Sequence, residues 1–165
     1  MARRDIIIGL IVAALIGAVI YFSRRSQTPR LEDITPTPST QESIESKFNT
    51  QIPSDVQKAE LKDVSGGNAS AIATRKYANG KFTHVVMADL PDPETGSYYQ
   101  AWLVKGNEGE ADYSLVSTGR LRIAKGGWLL EYNSSKDYTD HPKVVVSLEK
   151  VTDAKIETKV LEGNF

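Results

Sequence analysis

Cysteine is absent from this chain of 165 residues. That excludes disulfides, thiolate zinc sites, a cysteine nucleophile and a lipid-modified cysteine anchor. Net charge is nearly absent as well: 20 basic against 21 acidic residues leave −1. The part after residue 56 is close to neutral too, so no basic field exists to hold a phosphate backbone and no nucleic-acid partner is expected. Histidine is scarce, with His84 and His141 alone. No H-x-H or H-E-x-x-H spacing supplies a metal or protease site, and no G-x-S-x-G elbow supplies an acyl-transfer nucleophile. Gly66-Gly67 and Gly126-Gly127 are followed by no G-K-[ST], so neither is a phosphate loop.

Both histidines therefore read as structural: each lacks, in sequence, the second and third groups that a triad or a metal shell requires. Asp89, Asp92 and Glu94 gather three carboxylates in one loop, but not at EF-hand spacing, and read as a solvated acidic loop, as do Glu108 and Glu110. No catalytic residue, metal or cofactor is expected, and no enzyme. Only a convergent acid–base constellation in a pocket would revive that class.

What is present begins with one long apolar run. Ile6–Phe22 reads IIIGLIVAALIGAVIYF, without a charge. As a helix it spans roughly 26 Å, close to the roughly 30 Å hydrocarbon core of a bilayer. The run lacks the polar stripe of a surface helix and ends in Tyr-Phe-Ser-Arg-Arg, a poor cleavage site. The expectation is an uncleaved transmembrane helix over 6–22, preceded by a short tail over 1–5. Arg3 and Arg4 precede the run, whereas Arg24, Arg25 and Arg30 follow it. Taken alone, that count leans slightly against an outside C-terminus.

Residues 23–56 change character. Pro29, Pro36, Pro38 and Pro53 punctuate a stretch rich in Ser, Thr, Gln and Glu, which reads as a flexible, solvated stalk. Within it, Gln41 to Phe48 has room for one or two helical turns with Ile44 and Phe48 on one face, docked or loose.

After residue 56 the period changes to two. Strand-like runs near 57–64, 69–77, 81–90, 97–105, 112–118, 127–133, 143–150 and 156–162 alternate with turn signals, among them the hairpin dipeptide Asn79-Gly80. Phe82, His84, Val86, Ala88 and Leu90 share one face. Tyr98, Gln100, Trp102 and Val104 share another, opposed by Tyr99, Ala101 and Leu103. Trp128, Leu130 and Tyr132 align, as do Val144, Val146 and Leu148. Both faces of 98–104 and 143–148 are apolar, as in central strands. The class expected over 57–165 is all-β, an antiparallel β-sandwich of about eight strands, with Trp102 and Trp128 at the centre of its core. Tyr98, Tyr99 and Trp102 are the candidate ligand or partner surface, although strand aromatics more often pack inside.

Leu90-Pro91, the loop ending at Gly96 and then Tyr99-Gln100-Ala101-Trp102-Leu103-Val104 resemble the core signature of the C-terminal domain of anti-sigma-K factors. Val144-Val145-Val146-Ser147-Leu148-Glu149 is similar to that domain's second signature, Val160-Leu161-Glu162-Gly163 to its final strand, and Gly66-Gly67-Asn68-Ala69-Ser70-Ala71 to its early glycine turn. The resemblance covers about 57–165. It implies an extracytoplasmic β-sandwich on a single-pass bacterial membrane protein, engaged in sensing or regulated proteolysis in the control of sigma-factor-dependent transcription. Members carry a cytoplasmic sigma-binding helical domain before the membrane helix. Only five residues precede the run here, so direct sigma-factor binding is not expected. The leading expectation is a membrane-anchored, extracytoplasmic binding or sensory module that meets a wall component or an envelope protein. The alternative is a structural subunit of an envelope assembly.

Overall fold

The computed structural model describes Tyr21 and residues 38–165. The expected membrane helix over 6–22, Tyr21 apart, and the stalk over 23–37 lie outside the described residues. Among the described residues no helix is long and apolar enough to cross a membrane.

A helix, α1 (Thr40–Phe48), opens the folded unit. Its start is fixed by a capping box: Ser39 Oγ accepts from the Glu42 amide at 3.2 Å and Glu42 Oε2 accepts from the Ser39 amide at 2.8 Å, satisfying two otherwise orphaned donors. It stops at Asn49, which adopts the left-handed conformation that ends many helices. Its buried residues are Ile44 and Phe48, which pack with Ile52, Ile72 and Met87. Glu45 then holds the exit, accepting from the Ile52 amide at 2.9 Å. The compact unit runs from Pro38 to Phe165. Residues 38–56 therefore belong with the β domain rather than with a stalk, because the apolar face of α1 covers sheet residues that would otherwise meet water.

Nine strands follow: β1 (Gln57–Asp63), β2 (Ser70–Ala78), β3 (Lys81–Asp89), β4 (Tyr98–Lys105), β5 (Ser114–Arg120), β6 (Arg122–Ala124), β7 (Gly127–Ser134), β8 (Lys143–Glu149) and β9 (Thr158–Asn164). Every ladder is antiparallel. The β2–β3 hairpin turns on Asn79 and Gly80, both at positive φ, the conformation that the Asn-Gly pair favours.

The all-β class is observed, but not as two separately bonded sheets. One sheet runs in the order β5-β4-β8-β9-β1-β2-β3-β7-β6. Its two edges, β5 and β6, are separated in sequence by Leu121 alone, so the chain itself bridges the seam and the sheet curls into a nearly closed barrel. The Leu121 amide donates to Tyr99 O at 2.9 Å, extending the β4–β5 ladder by one residue. β6 was not expected: it has three residues and Ile123 is exposed, so no alternation marks it.

The interior is the main core, with Leu61, Phe82, Val86, Leu103, Val144, Val146 and Leu161 among its residues. The outside of the barrel carries two further apolar clusters. One lies under α1; the other joins Trp102, Val104 and Val145 to Tyr113, Leu115 and Ile156. These outer layers explain the two apolar faces of β4. They also move Trp102 from the place expected for it: it is 1% exposed, but it belongs to the outer cluster on the far side of β4 from the main core. Trp128 is only partly buried against the main core, its ring edge-on to Tyr99 at 5.3 Å and its Nε1 donating to Leu90 O at 3.1 Å. Neither tryptophan is the centre; aliphatic residues with Phe82 and Tyr99 fill it.

Candidate functional site

The three aromatic residues singled out from the sequence do not form one surface. Tyr99 points inward and is buried in the main core; burial, then the charges of Asp92 and Asp63, pushes its hydroxyl pKa up. Trp102 points outward but is covered, and its Nε1 donates to Ser147 Oγ at 2.7 Å. Tyr98 is half-buried. Its hydroxyl donates to Val151 O at 2.8 Å, and the Arg120 guanidinium lies 3.6 Å from its ring centroid. Period two explains the separation, because successive strand residues face opposite sides. Tyr99 thus faces the side opposite Tyr98 and Trp102, and the side-chain bonds of Tyr98 and Trp102 tie neighbouring segments together.

An open cleft lies instead over the outer cluster. It measures about 540 Å³, and Val104, Leu115, Val145, Tyr113 and Ile156 contribute its apolar lining. Trp102 packs with these same residues without lining the cleft. Charged residues of both signs complete the lining: Lys143, Lys155 and Lys159 with Glu108 and Glu157. One wall is the β8–β9 connection, which its own acids shape. Glu157 accepts from the amides of Lys150 at 2.9 Å and Val151 at 2.8 Å, and Asp153 accepts from the Lys155 amide at 2.8 Å. Glu162 joins Lys143 at 2.9 Å and Lys159 at 3.5 Å. The Lys143 hydrogen bond is the main reason its carboxyl is held below the usual carboxylate range, against the opposing effect of burial.

The histidines divide. His84 is buried in β3, where Nδ1 donates to Thr74 O at 2.9 Å. Nε2 then carries a bare lone pair in an apolar setting and has no partner. Burial pushes the ring down to about 4, so it is neutral near pH 7. His141 is different. Its Nδ1 is 2.7 Å from Asp140 Oδ1 and its Nε2 is 3.0 Å from Ser114 Oγ. The second oxygen of Asp140 accepts from Lys105 Nζ at 2.8 Å. That hydrogen bond foremost, with the one from His141 and against burial, lowers Asp140 to about 2. A hydroxyl, an imidazole and a carboxylate thus stand in line beside a second, smaller pocket of about 300 Å³.

Ser114 lies 27 residues before His141, and no fixed-spacing motif joins them. The Asp140-His141 dipeptide was the only trace of the array in the sequence, and it read as a turn. The acidic loop has become partly structural, since Asp89 pairs with Lys47 of α1. Among the described residues, no group of three His, Asp or Glu side chains is placed to hold a metal ion. Comparison with protein-family models, with curated proteins and with solved structures finds no match.

Proposed function

We propose that this protein is a membrane-tethered binding module, held by Ile6–Phe22 and displayed outside the membrane, that recognises an envelope protein through the cleft on the outside of its barrel. The cleft is the observation that carries this reading. An apolar floor ringed by charges of both signs suits a polypeptide that inserts an apolar anchor and flanks it with polar residues. The likeness of the 90–104 and 144–149 segments to anti-sigma-K outer domains supports a sensory role in transcription control. The uncharged run supports the tether.

Peptides selected from a random library on the full-length chain in detergent test the reading. Selected sequences should carry a large apolar residue between charged ones, and their binding should change the fluorescence of Trp102 in a Trp128→Phe background. Leu115→Glu, a half-buried floor position, should abolish that binding while the fold persists. Peptides that bind Leu115→Glu as well as the parent would place recognition elsewhere and sink the reading.

A further inference from the structure

We propose that Ser114 is a catalytic nucleophile for acyl transfer from small polar esters, with His141 as its general base and Asp140 as the positioning residue. This goes beyond the binding role and rests on a different place: the cleft and the smaller pocket share no lining residue.

The geometry has the parts that such chemistry requires. Asp140 is ionised near pH 7 and only accepts hydrogen bonds, so its contact at 2.7 Å puts the imidazole proton on Nδ1. Nε2 is left with its lone pair toward Ser114 Oγ, 3.0 Å away, within reach of general-base catalysis. The imidazole cannot swing freely. Its side chain is 5% exposed and its ring meets Tyr138 edge-on at 5.5 Å. Its amide donates to Tyr138 O at 3.1 Å and its carbonyl accepts from Arg75 Nη1 at 2.6 Å. Asp140 is fixed in turn by Lys105. Ser114 itself is half-buried at the start of β5 and lines the pocket of about 300 Å³. Lys105, its ladder partner on β4, and Lys136 line the same pocket. Lys105 is paired with Asp140, and Asp112 and Asp137 line the pocket as well, a balance of charge that suits a polar, uncharged ester. The polar lining and modest volume fit a short acyl group on a polar alcohol.

The steps balance. Ser114 Oγ bonds to the carbonyl carbon as its proton passes to His141 Nε2. The carbon–oxygen bond to the alcohol then breaks, and the alcohol leaves with that proton. Water next gives a proton to His141 and attacks the acyl group. Oγ departs and recovers the proton, so one ester and one water become one acid and one alcohol.

A fluorophosphonate and p-nitrophenyl acetate are the probes, used on the full-length chain. Fluorophosphonate should label one site, mapped to Ser114 by peptide mass, and Ser114→Ala should take none. His141→Gln should slow acylation by about 10²-fold or more. Asp140→Asn should slow it and also move the acid limb of its pH profile to lower pH, which loss of a purely structural contact does not do. Because the chain has no cysteine, Ser114→Cys carries a single thiol and gives a readout that does not depend on Ser114→Ala folding. Iodoacetamide should alkylate that thiol faster with His141 present than in the Ser114→Cys/His141→Gln pair. Labelling absent from Ser114, or equal labelling and alkylation rates with and without His141, would overturn the proposal. Saturating the cleft with the selected peptide should leave the rate of Ser114 labelling unchanged, which separates this activity from the binding role.

Discussion

Trp102 shows how one side chain joins the chemistry of a strand to the stability of a surface. It is 1% exposed although it faces away from the main core, and its indole N–H is satisfied by Ser147 on the neighbouring strand. Truncation to alanine removes both the packing under the cleft and that bond, and should cost about 3–5 kcal/mol. A denaturant midpoint unchanged in Trp102→Ala would show that the outer cluster does not support the fold. His84 makes a second prediction of different kind. Its pKa falls from 6.5 to about 4 on folding, through burial. Above pH 6.5 the ring is neutral in both states and contributes no slope. Below it the unfolded chain takes up a proton that the folded chain refuses, so stability drops as pH falls and levels off below the folded value. The whole loss is about 3 kcal/mol. His84→Phe removes the titration, so its melting temperature should fall less than the parent's between pH 7 and about pH 4.5. Equal falls would show that His84 does not carry the acid lability.

At the scale of elements, α1 is short for an independent helix, and its capping box and two buried side chains tie it to the sheet. Phe48 fills the space above Gly127, where an added Cβ would come within 2.6 Å of its ring. Phe48→Ala should therefore lose about 3–5 kcal/mol, with hydrogen exchange of the α1 amides rising first. Retained protection in α1 would mean that Ile44 alone holds it. The same pair shows what was legible in the sequence. Eight strands were readable because period two survives wherever one face is buried, and Ile44 and Phe48 were readable as a helix face. The role of Gly127 was not, since a glycine at the start of a strand gives no sign that an aromatic ring will sit on it. Nor was the barrel: strand lengths do not reveal that β1 pairs with both β2 and β9, or that Leu121 alone spans the seam. Ser114 and His141 were invisible as a pair for the same reason, because the β4–β5 and β4–β8 ladders, not sequence spacing, bring β5 and the turn before β8 together.

For the whole molecule, the proposed tether makes a prediction about which side of a membrane the barrel would occupy. Under the proposed tether, the arginine count around Ile6–Phe22 leans toward a barrel inside, whereas the proposed sensory role requires it outside. The boundary at Pro38 makes a protease test sharper. A protease added to intact cells meets the barrel only if it is outside. The ladders from β1 to β9 and the capped α1 then resist cutting, since cleavage requires local opening. Cleavage before Pro38 should release a stable fragment starting near that residue and ending at Phe165, while a cytoplasmic marker stays whole. A fragment starting near residue 56 would instead mean that α1 opens readily and that its docking is weak. Loss of the barrel only after lysis would put it in the cytoplasm, end the extracytoplasmic sensory reading and leave the cleft to a cytoplasmic partner. The esterase assay on the purified chain would stand unaffected.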